Sequence, residues 1–122
     1  MELRTGVDLI EIDRIAEMVS RHGNHYLERI YTDAELKLCG RRAESLAGRF
    51  AAKEAVAKAL GVGIGDVSWQ EIEILENDQK APEIRLYGAA QANAEKIGLK
   101  QWSVSISHNQ KLAIAFVVAS GR

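Results

Sequence analysis

The residues of this chain that could do chemistry fall in four places. Asp8 and Glu11 stand where an apolar run gives way to an amphipathic one. Arg49, Lys53, Glu54 and Lys58 ride on a long segment that is otherwise rich in apolar residues. Gly61, Gly63 and Gly65 follow that segment directly, and Ser107-His108 closes an alternating stretch near the end. Each has a plain structural reading. Asp8 could cap a helix, where the helix dipole favours a carboxylate, and Glu11 suits a first helical turn. Glu54 and Lys58 form an i, i+4 pair in the favourable order, worth about 0.3 kcal/mol on an exposed face. Arg49 and Lys53 stack at the same spacing. The company of these charges argues for more. Phe50, Ala51, Ala52, Ala55, Val56 and Ala59 make the helix largely apolar, and charges on a mostly buried helix are expected to face one cleft.

Several chemistries are excluded by spacing. The glycine segment GVGIG is not followed by Lys-Ser/Thr and opens no helix, so it is not a P-loop. It caps the preceding helix, and without a Cβ its backbone could approach a phosphate closely. Ser107 and His108 are neighbours on a strand and point to opposite faces, which rules out a hydrolase pair. None of the three histidines has the spacing of a zinc site.

The elements that must position these residues can be read from periodicity. Residues 3–9 form a strand, followed by a helix with Ile12, Ile15, Ala16 and Val19 on one face and Gly23 at its end. Tyr26, Leu27 and Ile30 give another turn or two of helix. Thr32 to Glu35, TDAE, is a capping box. A long helical region then runs to Leu60, with a break near Cys39-Gly40. Residues 69–75 and 83–87 alternate as strands around the turn ENDQKAP, with Pro82 at a strand start or edge. Residues 88–97 form a short alanine-rich helix. Residues 102–106 and 112–118 pair as a hairpin through SHNQK. Helices and strands are segregated, which gives an α+β domain spanning residues 1–122. The last strand, KLAIAFVVAS, is apolar on both faces, so its second face must be covered either by the helices or by another subunit.

Composition agrees. The chain has 122 residues, 47% hydrophobic and 27% charged, which is the profile of one soluble globular domain. A net charge of −1 gives no basic field for nucleic acid. No apolar stretch approaches the ~20 residues that span a bilayer, and the charged N-terminal residues do not form a signal core. A single cysteine, Cys39, fits a reducing cytoplasm.

Three segments in order, GVDLIEIDR, GRFAAKEAVAKALGVGIG and SVSISH, together resemble the short, bacterial holo-acyl-carrier-protein synthases of the 4′-phosphopantetheinyl transferase superfamily. The resemblance covers almost the whole chain. It implies the 4′-phosphopantetheinyl transferase fold, a homotrimer, and active sites at subunit interfaces. It implies transfer of 4′-phosphopantetheine from coenzyme A to a serine of apo-acyl carrier protein, in support of fatty acid biosynthesis and lipid metabolism. Adenosine 3′,5′-bisphosphate leaves.

By the same resemblance Asp8 and Glu54 are ligands of Mg²⁺, a cation that takes hard oxygen donors. Lys58 neutralises the pyrophosphate or the leaving group, and a metal-bound water or Glu54 takes the serine proton. Arg49 contacts the coenzyme A phosphates. Arg41 and Arg42 hold the 3′-phosphate, and Gly61 and Gly63 pass close to the nucleotide. His108 resembles the family's active-site histidine, contributed by a neighbouring subunit to binding and catalysis. Arg14, Met18 and Arg21, spaced i, i+4, i+7 on the first helix, become a docking face for the acidic carrier protein. Asn24 stands where some relatives have another basic residue. Two other functions remain in play: a transferase for secondary-metabolism carriers, against which the single length argues, and a nucleotide-binding module without transfer, against which Asp8, Glu54 and Lys58 argue.

Overall fold

The computed structural model describes residues 2–121. In chain order the elements are β1 (Leu3–Glu11), α1 (Ile12–His22), α2 (Asn24–Ile30), α3 (Asp33–Cys39) and α4 (Ala43–Leu60). A 3₁₀ turn (Trp69–Glu71) follows, then β2 (Ile72–Glu76), β3 (Pro82–Leu86), α5 (Gly88–Lys96), β4 (Gln101–His108) and β5 (Leu112–Ser120). The strands form an antiparallel three-stranded sheet in the order β1-β5-β4 and a separate β2-β3 hairpin. This is the α+β organisation expected from the segregation of periods.

Helix α4 lies against the three-stranded sheet, and small residues let it come close. Ala51, Ala52 and Ala55 of the helix and Ala113, Ala115 and Ala119 of β5 are fully buried. The tightest approach is at Gly6, where an added Cβ would lie 1.8 Å from the Ala55 carbonyl oxygen. Both partners are backbone, so neither can turn aside. Gly6→Ala is expected to destabilise the fold by at least about 3 kcal/mol, measured as a loss of urea midpoint with an unchanged m-value.

Local signals set the ends of the helices. The Thr32 hydroxyl accepts from the Glu35 amide at 3.2 Å and Glu35 returns a bond to the Thr32 amide at 2.8 Å, closing the capping box. Gly61 ends α4 in the left-handed region at φ 75°. Three expectations need correction. The 69–75 segment is not all strand: Glu71 accepts from the Ser68 amide at 2.7 Å and winds Trp69–Glu71 into a 3₁₀ turn, so β2 begins at Ile72. Strand β1 runs on to Glu11, so Asp8 sits inside a strand and caps no helix. Ala16 is exposed, and the buried stripe of α1 is Ile12 and Ile15 with Val19 and Met18 at its margin.

Strand β5 turns Ala113, Ala115, Val117 and Ala119 onto α4. Its other face is bare. Ile114 and Phe116 project from it beside Val7 and Leu9 of β1, with Leu9 58% and Phe116 46% exposed. The helices therefore cover one face of this strand only.

Candidate active site

Asp8 projects from the same face of β1 as Gly6, toward α4, because side chains two apart share a strand face. Glu54 lies on α4 beside the helix's contact with β1. The two carboxylates line one cleft of about 680 Å³, together with Glu11, Arg14, Met18 and the apolar side chains Ile10, Ile15, Tyr26 and Phe50. The Lys58 ammonium donates to the Val7 carbonyl at 2.8 Å and to Asp8 Oδ1 at 3.2 Å. The Glu54–Lys58 pair read from helical spacing is thus redirected: in the fold Lys58 bonds to Asp8.

Burial pushes the Glu54 carboxyl above its usual value, the Asp8 charge pushes it further, and Lys58 offsets part of the rise. Two carboxylates that disfavour each other's charge in a half-buried cleft are a natural seat for a cation. The described residues contain no cluster of three or more His, Cys, Asp or Glu side chains that could enclose a metal. A cation held here would have two protein ligands and would keep positions open, which suits Mg²⁺ rather than a structural ion.

The other expected site residues fall elsewhere on the chain. Arg49 and His108 line a second cleft of about 210 Å³ with Glu44, Ser45, Glu76, Lys80 and Pro82. Arg49 Nη2 lies 3.5 Å from Glu76 Oε1, while its buried Nε has no hydrogen-bond partner. A guanidinium on the lining of a cleft is suited to pairing with an anion. Arg42 borders this cleft, bonding Ser45 Oγ at 3.4 Å and the Leu38 carbonyl at 2.9 Å. Arg41 donates to Asn24 Oδ1 at 2.7 Å, outside either cleft. Gly61 and Gly63 lie in the loop after α4, where the Gly63 amide reaches Asp66 Oδ2 at 3.4 Å. On α1, Arg14 and Met18 edge the first cleft, and Arg21 is exposed and paired with Glu17 at 3.1 Å. Met18 packs partly against the core, so the three residues do not share a fully solvent-facing side of the helix.

A single chain does not bring His108 to Asp8. His108 aligns with Ala113 on β5, which aligns with Ile10 on β1, so the edges are two strand spacings apart, about 10 Å. Nor do all charges of α4 face one cleft: Lys53, expected beside Arg49, is fully buried on Glu35. Sequence reasoning missed Tyr26 and Phe50 as cleft walls. Phe50, one turn before Glu54, was legible from helical spacing; Tyr26 comes from α2 and carried no such signal.

An α+β chain with a paired-carboxylate cleft, an ammonium bonded to one of the pair and a second cleft carrying Arg49, Lys80 and His108 has the parts of a group-transfer protein acting on phosphates. The model of the 4′-phosphopantetheinyl transferase superfamily matches residues 4–117. The chain is 52% identical to the holo-[acyl-carrier-protein] synthase of Herpetosiphon aurantiacus, over 98% of this chain and 99% of that one. It resembles the crystal structure of Helicobacter pylori holo-[acyl-carrier-protein] synthase in complex with coenzyme A with a TM-score of 0.87 and 38% identity, over 95% of this chain and 99% of that one. The corresponding structure from Neisseria meningitidis gives a TM-score of 0.86 at 36% identity, over 96% and 97%. The chain belongs to the 4′-phosphopantetheinyl transferase superfamily and, within it, to the holo-acyl-carrier-protein synthase family.

Proposed function

We propose that this protein transfers 4′-phosphopantetheine from coenzyme A to a serine of apo-acyl carrier protein, with Mg²⁺ held by Asp8 and Glu54. The convergence of those two carboxylates on one cleft, with Lys58 bonded to Asp8, carries the reading. Two half-buried carboxylates beside an ammonium favour metal-assisted transfer over a module that only holds a nucleotide. When bound, Mg²⁺ supplies Lewis-acid charge to the phosphoryl oxygens.

The chain's own groups do the rest. In the reaction the serine Oγ forms a bond to the phosphorus bearing pantetheine, and the bond from that phosphorus to the bridging oxygen of adenosine 3′,5′-bisphosphate breaks. Such chemistry needs positioning and charge neutralisation more than covalent help. Lys58, fixed by the Val7 carbonyl, holds its ammonium where charge grows on the leaving oxygen. Glu54, at the same cleft, is the chain's own candidate to accept the serine proton, the alternative being a water in the cleft. Arg49, with His108 on the lining of the same cleft, is placed to meet a coenzyme A phosphate. The loop carrying Gly61 and Gly63 lets backbone approach the nucleotide. A free, buried Cys39 suits a cytoplasmic setting; among the described residues no helix is long and apolar enough to cross a membrane.

The bare apolar face of β1 and β5 supports assembly as a homotrimer. A closed ring would bring the His108 cleft of one subunit to the Asp8 cleft of the next. The deciding assay is direct: apo-carrier protein, coenzyme A and Mg²⁺ with this protein should give a carrier heavier by one phosphopantetheine, and no mass gain would refute the reading. Carrier docking is tested separately. Arg14→Glu with Arg21→Glu is expected to raise the carrier KM at least about tenfold and leave the coenzyme A KM unchanged. Added salt should mimic the defect in the wild type. An unaltered carrier KM would move docking off α1.

A further inference from the structure

Among the described residues Lys53 is the only fully buried cation, and the reaction as derived does not use it. Its ammonium makes three bonds: 2.8 Å to Glu35 Oε1, 2.9 Å to the Trp69 carbonyl and 2.6 Å to the Ile72 carbonyl. Glu35 is equally buried, and its other oxygen accepts from the Ile74 amide at 2.9 Å. A satisfied buried ion pair contributes little more stability than apolar side chains of the same volume. The pair is better explained by what it fixes. Lys53 precedes Glu54 on α4, and the carbonyls it grips belong to the 3₁₀ turn and to the start of β2. That turn is where the 61–68 loop returns to the fold. The loop is tied to α4 by the Val62 amide, which donates to the Ala57 carbonyl at 3.1 Å, and to the turn by the Ser68 amide, which donates to Glu71 Oε1 at 2.7 Å; between them it closes on itself, Gly65 to Val67 at 2.9 Å and Asp66 to Gly63 at 3.2 Å. The buried Val67 side chain seats it on the core, and Lys53 holds the turn beside it to α4. The Trp69 ring also packs on Phe50 at 4.8 Å, and Phe50 walls the carboxylate cleft.

We propose that Lys53 is a positioning residue for coenzyme A, tying the 3₁₀ turn to α4 so that the 61–68 loop stands at a fixed distance from the Asp8–Glu54 cleft. This rests on the transferase reading of the site. The test compares Glu35→Gln/Lys53→Met, in which both charges go and the tether is lost, with Glu35→Gln, in which Lys53 keeps its two carbonyls. The double variant is expected to fold, with coenzyme A Kd by calorimetry and coenzyme A KM each raised about tenfold, kcat within about threefold, and carrier KM unchanged. Glu35→Gln alone is expected to keep both coenzyme A constants within about twofold. Glu35→Leu/Lys53→Met serves as a second charge-free pair.

A folded double variant with wild-type coenzyme A binding would overturn the proposal, and so would a tenfold loss in Glu35→Gln alone. Failure of both double variants to fold would make the pair purely structural and overturn it too. The wild type in the same assay judges the transferase reading on its own: coenzyme A binding without transfer would sink that reading, while the Kd comparison would still decide the role of Lys53.

Discussion

Asp8→Asn and Glu54→Gln are each expected to lower transfer at least about 100-fold while leaving the fold intact, because each removes an anionic ligand of the cation that would neutralise the phosphoryl group. Both carboxylates sit at a cleft, not in the core, so their loss should not collapse the packing. The two effects separate in stability. Glu54 titrates higher in the folded chain than its ordinary value, through burial and through Asp8. Between the unfolded and the raised folded pKa the folded state therefore binds more protons, and stability falls as pH climbs through that window. The cost persists at neutral pH. Glu54→Gln should accordingly melt above the wild type at pH 7 without Mg²⁺, and the difference should vanish below about pH 4, where the carboxyl is protonated in both states. Mg²⁺ should raise the wild-type Tm and leave that of Glu54→Gln nearly unmoved. Near wild-type transfer by either variant at limiting Mg²⁺ would remove the metal assignment.

The second large effect concerns the bare sheet face. Ile114→Arg with Phe116→Arg is expected to give a folded monomer by light scattering, with transfer reduced at least about 100-fold. The side chains are exposed in one chain, so the monomer's own packing does not need them. The loss of activity follows from geometry: the cleft with Arg49 and His108 and the cleft with Asp8 and Glu54 are separate on one chain. Mixing Glu54→Gln with His108→Ala protein, each poorly active, should restore part of the activity after subunit exchange, since some interfaces then carry both intact partners. A fully active monomer at assay concentration would refute both the trimer and the shared site.

The sequence by itself determined the elements whose signals are local. The 3.6-residue period placed α1, strong helix formers placed α4, Gly61 stopped α4, and Thr32 with Glu35 marked the start of α3, because those signals span four residues or fewer. The strands of the hairpin were legible from alternation. The site residues were legible as a set only through three motifs in order, since helical spacing alone assigned Glu54 to Lys58 and made Asp8 a cap. Tertiary structure decided what depends on distant partners. Glu35 looked like a capping residue, yet it also binds Lys53 and the Ile74 amide, 39 residues away. Lys53 looked like a surface charge, yet two carbonyls and that carboxylate compensate its burial. Lys58 turned from Glu54 to Asp8 because β1 crosses α4 at Gly6. The two faces of β5 are equally apolar in sequence; which one α4 covers, and which is left bare, follows from where the alanines allow the helix to lie.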